Sequence, residues 1–204
     1  MHALIVIAHP DPKSLSHGVA AHIAEGVTDS RNSFDVADLS AEAFDPRFTA
    51  VDIAVHRREV PPPADVAAEQ ARIDQADALV LVYPVYWWSM PALLKGWIDR
   101  VFANGWAYDF GPDAKLVKKL GHLPVHLVAI GGADVRTYAR HGYFGAMKTQ
   151  IDLGIFDYCG AHVMTSELML GSETEDLIRH LKIARGIGRN LFSLSKRCTV
   201  TEAA

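Results

Sequence analysis

Short, continuous runs of apolar residues, each closed by turn residues, are the strongest pattern in this sequence. They lie at residues 3–8, 78–83, 125–130 and 161–169. Runs of this length that do not alternate with polar residues are typical of strands buried on both faces of a parallel sheet. Residues 34–39 alternate instead, which predicts a fifth strand with one solvent-exposed face.

Segments with apolar residues at helical spacing separate these strands. We predict helices at residues 15–28, 64–75, 91–104, 143–158 and 173–196. Pro91 suits a first helical turn. Ser172, followed by Glu173 and Glu175, predicts the start of the last helix, because acidic residues interact favourably with its N-terminal dipole. The alternation of strands and helices predicts an α/β fold with a doubly wound parallel sheet, in a single domain spanning residues 1–204.

One long segment, residues 44–63, fits neither period and ends in three consecutive prolines. We predict that it forms a surface excursion without secondary structure of its own. Loops of this length are often functional.

Composition and charge exclude several classes of partner. The chain has 20 Lys and Arg against 24 Asp and Glu, and no long run of like charges, which argues against nucleic-acid binding. Cys159 and Cys198 are far apart and lack a C-x-x-C neighbour, so we expect reduced thiols and no metal site. No segment approaches the roughly 20 apolar residues that span a bilayer. We therefore expect a cytoplasmic protein without membrane insertion.

Ligands of open parallel sheets bind outside the carboxyl ends of the strands, so the loops that follow the strands carry the candidate chemistry. In the first loop, HPDPKSLSHG, Lys13, Ser14 and Ser16 precede or open a helix. A helix N-terminus offers unpaired N–H groups and a positive dipole, so this combination predicts phosphate binding. The alternative is an ordinary N-cap, in which a serine satisfies the first turn. The glycine patterns of dinucleotide-binding and P-loop proteins are absent.

The second loop, YPVYWWSMP, follows the buried strand at residues 78–83. Tyr86, Trp87 and Trp88 lie in a turn between two prolines and not at helical spacing. An aromatic turn at a strand end supplies a flat wall for a planar cofactor, with backbone amides at its polar edge. Burial of these aromatics in the core is the alternative.

The third loop, AIGGADVRTYARHGYFG, begins with the glycine pair Gly131-Gly132, which allows a flat ligand to approach the backbone closely. Polar side chains follow on what we predict to be a mobile loop, namely Arg136, Tyr138, Arg140, His141 and Tyr143. A turn with solvated side chains is the alternative. Together the three loops offer phosphate binding, an aromatic wall and a glycine floor, which is the arrangement of a flavin site.

The sequence resembles the NAD(P)H:quinone oxidoreductases, a flavodoxin-like family that includes the DT-diaphorase type and bacterial flavoproteins tied to glutathione-gated potassium efflux. The resemblance covers nearly the whole chain and implies the strand order 2-1-3-4-5, with helices on both faces of the sheet. Its most specific part is YPVYWWSMPALLKGWIDRVFANGWAY, in which the following residues match the family pattern: Pro84, Trp87, Pro91, Ala92, Leu94, Lys95, Gly96, Trp97, Arg100, Val101 and Phe102.

The residues that we expect to bind the flavin come from all three loops. They are His9, Lys13, Ser14, Leu15 and Ser16 in the first, Pro84, Val85, Tyr86, Trp87 and Trp88 in the second, and Ala129, Ile130, Gly131, Gly132 and Tyr138 in the third. By resemblance, Ser14 to Ser16 bind the phosphates and the second loop lines the isoalloxazine.

The candidate catalytic residues are Tyr138, His141 and Tyr143. Tyr138 matches a family tyrosine that assists hydride transfer. The family's histidine partner lies six residues later, where this chain has Phe144, so His141 and Tyr143 become the alternatives for handling a proton.

The resemblance implies a two-electron NAD(P)H dehydrogenase (quinone) that reduces quinones or similar flat, electron-poor acceptors by ping-pong hydride transfer. It implies FAD as cofactor with FMN as the alternative, NAD(P)H as reductant, and a homodimer with the site at its interface. Two other roles stay open, a flavodoxin-type electron carrier and a regulatory partner of a potassium-efflux transporter.

Overall fold

The computed structural model describes residues 1–111, 115–171 and 174–193. Its strands are β1 (His2–Ile7), β2 (Ser33–Asp38), β3 (Ala78–Pro84), β4 (Tyr108–Asp109), β5 (Val117–Lys118), β6 (Pro124–Gly131) and β7 (His162–Leu170). Five of them form a parallel sheet of order β2-β1-β3-β6-β7, which confirms the predicted order 2-1-3-4-5. The short strands β4 and β5 pair antiparallel and were not predicted.

The helices are α1 (Leu15–Asp29), α2 (Ala50–His56), α3 (Ala64–Asp74), α4 (Ala92–Val101), α5 (Val135–His141), α6 (Tyr143–Met147) and α7 (Thr174–Asn190). A π-helical segment, Lys148–Asp157, continues α6, so the helix predicted at residues 143–158 changes its winding partway. Ser172, Glu173 and the predicted helix end at residue 196 lie outside the described residues. Within the described residues, none of the helices combines the length and apolarity that a membrane crossing requires.

The strands of the sheet's centre divide their side chains between two cores. Leu4, Val6, Leu79 and Leu81 face the layer formed by α3, α4 and the π-helical segment. The intervening residues of the same strands face α1 and α7. Because successive side chains of a strand point to opposite faces, burial on both faces requires the continuous apolar runs seen in the sequence.

Helices α1 and α7 cross at a pair of glycines. A Cβ atom added at Gly188 would lie closer than 3.0 Å to the carbonyl oxygen of Ile23, and one added at Gly26 would meet the carbonyl oxygen of Arg185 equally closely. Only a residue without a side chain allows this approach, so the two helices touch backbone to backbone.

The prediction that residues 44–63 have no secondary structure is wrong, because α2 lies within them. Thr49 and Asp52 form a capping box at its start, and the Asp52 carboxylate accepts hydrogen bonds from both Thr49 N and Thr49 Oγ1. The helix has seven residues, too few to show a clear 3.6-residue period. The T-x-x-D pattern was the signal available in the sequence.

Helix α4 holds this excursion in place. Arg100, which is buried, donates to Asp52 Oδ1 at 3.0 Å, to Asp65 Oδ2 at 2.7 Å and to Asp45 O at 2.8 Å. Gly96 lies against the backbone of Pro46, where a Cβ atom would collide. Part of the motif that carries the family resemblance therefore acts on the fold and not on a ligand.

We predict that Gly188→Ala lowers the free energy of unfolding by about 1–3 kcal/mol, because the added methyl group forces α1 and α7 apart. Urea denaturation monitored by circular dichroism measures the change. Gly186→Ala is the matched control, since a Cβ atom at this position of α7 meets no described atom within 4 Å. The control substitution should stabilise the protein by up to about 1 kcal/mol. Equal effects of the two substitutions would contradict the prediction.

A buried histidine makes stability depend on pH. His126 on β6 is 1% exposed, its Nδ1 pairs with Thr165 Oγ1 at 3.0 Å, and its Nε2 has no partner among the described residues. Burial lowers the pKa of His126 to about 4. Since the unfolded chain binds a proton at a higher pH than the folded one, this residue destabilises the fold progressively as the pH falls from about 6.5 to 4.

We expect the free energy of unfolding to fall by about 3 kcal/mol more in the wild type than in His126→Asn between pH 7 and pH 4. Asparagine keeps a polar group near Thr165 but cannot take up the proton. Urea denaturation at several pH values gives both profiles, and parallel profiles would refute the assignment to His126.

Candidate functional site

The three predicted loops lie side by side at one edge of the sheet, because β1, β3 and β6 are neighbours. Hydrogen bonds join them at their starts. Ala8 N donates to Val82 O at 3.2 Å, and Val85 N donates to Ile130 O at 2.8 Å. The carboxyl ends of parallel strands are where ligands of such sheets bind, so the structure confirms that the loops share one location.

The first loop leads into α1 through a cap. Ser14 is the N-cap, and its hydroxyl accepts a hydrogen bond from His17 N, so the alternative of an ordinary N-cap is confirmed for this residue. The N–H groups of Leu15 and Ser16 belong to the first turn, where no helical acceptor exists for them. No acidic residue lies in this turn, and Lys13 is exposed beside it. The end of α1 therefore retains donors and positive charge for an anion.

His17, which our sequence analysis did not single out, completes a polar chain in this loop. Its Nδ1 lies 2.9 Å from Ser14 Oγ, and its Nε2 lies 2.9 Å from Asp38 Oδ2. Asp38 stands just where β2 ends, and its other oxygen accepts from Ser40 N and Ala41 N. Burial opposes ionisation of Asp38, but the hydrogen bond from His17 and those from the backbone outweigh it, so its pKa is lowered. The contact joins residues 21 positions apart and leaves no local sequence signal.

The second loop is a tight turn closed by two hydrogen bonds between Tyr86 and Ser89, with N–O distances of 3.0 and 3.1 Å. Trp87 and Trp88 occupy its centre with φ angles of 49° and 60°. Left-handed backbone at a non-glycine residue costs about 1–2 kcal/mol, and such strain concentrates at functional sites. Trp87 is 93% exposed, which confirms the prediction of a turn and rules out core packing for this residue. Pro84, by contrast, is buried as the last residue of β3, and Val85 is half-buried.

Trp88 is the centre of an aromatic cluster that includes two of the candidate catalytic residues. It stacks on Tyr143 with a centroid distance of 3.8 Å and an interplanar angle of 13°. Tyr138 meets the same indole edge-on at 5.2 Å. Ser89 Oγ donates to Gln150 Oε1 at 2.5 Å, which ties the turn to the π-helical segment. The second and third loops thus form one packed unit.

The prediction of a loop after Gly132 is wrong, because α5 occupies residues 135–141; α6 falls within the helix predicted at residues 143–158. Asp134 caps α5 by accepting from Thr137 N at 2.8 Å, and Gly142, with φ 71°, ends it. An aspartate at the start and a glycine at the end of seven residues were the available signals. Tyr138 is 1% exposed, whereas Arg136, on the other side of α5, is exposed.

The two glycines of the third loop have different surroundings. A Cβ atom at Gly131 would lie 2.5 Å from Tyr138 Oη and 2.6 Å from Leu170 Cδ2, so this glycine makes room for the tyrosine. Gly132 is exposed, and its Cβ position meets no described atom within 4 Å. Only Gly132 is therefore open to a ligand. Of the two residues before the pair, Ala129 is buried and Ile130 is half-buried.

The three candidate catalytic residues are adjacent but differ in environment. Tyr138 is buried, and this burial raises the pKa of its hydroxyl. His141 is exposed, and its ring lies 5.4 Å from that of Tyr143. Phe144 packs 5.3 Å from the Tyr138 ring and brings no proton-accepting group to it. His9, in the first loop, accepts a hydrogen bond from Asp11 N at its Nδ1.

No group of three or more metal-ligating side chains occurs in the part of the chain that the structure describes. Cys159 is a free cysteine, and burial raises the pKa of its thiol to about 11. Cys198 lies outside the described residues.

Comparisons with known proteins agree with this geometry. The profile of a family described as having a flavodoxin-like fold matches residues 1–185. A ribosyldihydronicotinamide dehydrogenase [quinone] of Rattus norvegicus is 30% identical over 190 residues, which cover 83% of this chain and 81% of the rat protein.

Two solved structures extend the comparison. An NAD(P)H:quinone oxidoreductase from Methanothermobacter marburgensis superposes with a TM-score of 0.85 at 28% identity, covering 94% of this chain and 98% of that one. General stress protein 14 from Treponema denticola, solved in complex with FMN, has a TM-score of 0.65 at 27% identity, covering 94% of this chain and 99% of its own. With the shared sheet order and the aromatic turn, these matches show that the chain is an oxidoreductase of the flavodoxin-like NAD(P)H:quinone oxidoreductase family.

Proposed function

We propose that this single-domain protein is a cytoplasmic, flavin-dependent enzyme that transfers two electrons from NAD(P)H to quinones or similar flat acceptors. The observation that carries the proposal is the strained turn at Trp87 and Trp88, which stands beside the donor-rich start of α1 and the open backbone at Gly132. The exposed side chain of Trp87 adds no packing to the core that would offset its backbone strain. Contact with a ligand or a partner therefore explains a tryptophan at this position.

The residues of the site fit a flavin. The N–H groups of Leu15 and Ser16, with Lys13, supply donors and charge for its phosphate. The aromatic turn supplies a wall for the ring, and Gly132 leaves the backbone accessible. The Treponema protein binds FMN, while the family resemblance implies FAD, so the proposal covers the flavin class and leaves the choice to experiment.

A bound flavin would supply the site where hydride is accepted and then passed on. The protein's part is to position that ring and to stabilise charge that develops at its polar edge. The N–H group of Gly132 is the candidate donor, and the Tyr138 hydroxyl, which lies next to Gly131, is the candidate proton-holding group. Because reductant and acceptor would use the same position in turn, ping-pong kinetics follow.

A homodimer is part of the proposal. Trp87 is 93% exposed and Tyr86 is 47% exposed at the tip of the same turn. Large apolar side chains at one exposed site favour contact with another protein surface, and a second copy of the chain would place this turn over a neighbouring site. Light scattering at micromolar concentration tests this part independently of catalysis.

The direct test is the visible absorption spectrum of the purified protein, followed by chromatography of the flavin released on heating. Initial rates with NADH, NADPH and ribosyldihydronicotinamide against a quinone should give the parallel double-reciprocal lines of a ping-pong reaction. Intersecting lines would reject the ping-pong step alone. A colourless protein that takes up neither FAD nor FMN would reject the proposal.

Flavin uptake, NAD(P)H oxidation and co-purification separate the two alternative roles from the proposed one. A protein that takes up flavin and is reduced chemically by one electron, without oxidising NAD(P)H, would be an electron carrier. A regulatory partner of a transporter would bind flavin and co-purify with that transporter, so isolation from its native cells tests this role.

We predict that Tyr138→Phe lowers the rate of flavin reduction by NAD(P)H by roughly 100-fold and changes flavin affinity little, because one hydroxyl is removed and the ring packing stays. Stopped-flow absorbance measures the step. Tyr143→Phe and His141→Gln are the matched variants, and we expect both to retain the wild-type rate within about threefold. A larger loss in either variant than in Tyr138→Phe would transfer the proton-handling role to that residue.

A further inference from the structure

In the polar chain of Ser14, His17 and Asp38, the protonation of His17 decides whether the Ser14 hydroxyl can donate a hydrogen bond to a ligand. Both contacts of the His17 ring are 2.9 Å long, and the side chains of His17 and Asp38 are only 16% and 22% exposed. Ser14 and His17 line a groove of about 570 Å³ together with Lys13, Gly18 and apolar residues of α1 and β2, while Asp38 contacts His17 from outside that lining.

We propose that His17 is a positioning residue for the cofactor phosphate, which binds this loop together with a proton on the His17 imidazole. The inference rests on the proposed function, since the phosphate is that of the flavin. It assigns to His17 the regulation of flavin affinity by pH.

The Asp38 carboxylate, which can only accept, determines the direction of both hydrogen bonds of the His17 ring. Ionised Asp38 can only accept, so His17 Nε2 must carry a hydrogen. In neutral imidazole the other nitrogen is then an acceptor, and Ser14 donates its hydroxyl hydrogen to His17 Nδ1. Ser14 Oγ also accepts from His17 N. The serine therefore has no hydrogen left for a phosphate oxygen.

A second proton on the His17 ring reverses the hydrogen bond between Ser14 Oγ and His17 Nδ1. Both ring nitrogens of imidazolium are donors, so Nδ1 donates to Ser14 Oγ and releases the hydroxyl hydrogen. Ser14 can then donate to the phosphate, while the positive charge lies on the His17 ring that donates to Ser14. No bond to carbon is made or broken, and the proton comes from solvent.

The titratable groups around His17 come from two segments, the end of β2 and the loop between β1 and α1. Asp38, after β2, contacts the ring directly, with 2.9 Å between His17 Nε2 and Asp38 Oδ2. His9, after β1, lies 6.4 Å away between ring centroids, edge to face. Lys13, on the loop before α1, lines the same groove and opposes a second positive charge. A phosphate placed between Lys13 and Ser14 would offset that repulsion, which is why proton and phosphate bind together.

The expected sign is that flavin affinity falls as the pH rises. When binding takes up one proton, the dissociation constant increases by at most about tenfold per pH unit. The phosphate of FMN gains charge as the pH rises through about 6, which acts in the opposite direction. FAD, whose diphosphate keeps its charge, is the cleaner probe.

The test measures the dissociation constants of FAD, FMN and riboflavin for the flavin-free full-length protein, by fluorescence quenching at pH 6, 7 and 8. For the wild type we expect the FAD constant to rise roughly 10-fold from pH 6 to pH 8. Riboflavin, which has no phosphate, should show a constant value. In His17→Gln, whose side chain still donates to Asp38 but cannot be protonated, the FAD constant should stay within about twofold.

His22→Gln is the matched control, because His22 lies on the same helix and bonds only to Gly18 O among its described contacts. It should keep the wild-type pH profile. Nitrogen chemical shifts of labelled histidine give a second readout, in which His17 carries its hydrogen on Nε2 without flavin and on both nitrogens with FAD.

Four outcomes would count against the proposals. A wild-type profile that is flat, or one that His17→Gln leaves unchanged, overturns the inference and leaves the proposed function standing. An unprotonated His17 in the FAD complex overturns it as well. Failure of every flavin to bind the wild type at any pH overturns the proposed function and this inference together.

Discussion

Strand β3 is buried along its whole length and hydrogen-bonded to β1 on one side and to β6 on the other. This pairing is the constraint on which the site depends. Its register places the ends of three strands at one edge, so that the capped start of α1, the aromatic turn and the glycine pair meet there. A shift of one residue would exchange the side chains of the two cores and move the turn away from its neighbours.

Packing between the second and third loops supports the site. Tyr138 fits against Gly131 and Trp88, and Trp88 stacks on Tyr143. These contacts make the strained turn, the glycine pair and the two short helices interdependent, so the wall of the site is held from behind by residues that belong to a different loop. Arg100 does the same for the excursion, since its buried guanidinium binds the carboxylate of Asp52 within the excursion and that of Asp65 on α3. A buried charge of this kind is tolerated only because all its partners are present.

Much of the fold could be predicted because burial on both faces leaves continuous apolar runs, and because α1, α3 and α4 are long enough to show a period. Helices α2 and α5 were missed, since seven residues hold fewer than two full repeats and only their capping residues marked them. The loops of the site could be predicted from the resemblance and from their residue types. The roles of Gly131, His17 and Arg100 could not, because each depends on a partner that is distant in sequence.

The glycine contact between α1 and α7 has a consequence for how the protein can vary. At Gly26 and Gly188 the spacing of the two helices is set by backbone atoms, and no side chain can rotate to absorb a change. Neither position can compensate for a larger residue at the other, because both already carry the smallest residue. The start of α1, which carries N–H donors, therefore keeps a fixed position relative to α7. Both helices lie on the face of the sheet opposite α3 and α4. Sequence drift can alter those other helices while the start of α1 keeps its place.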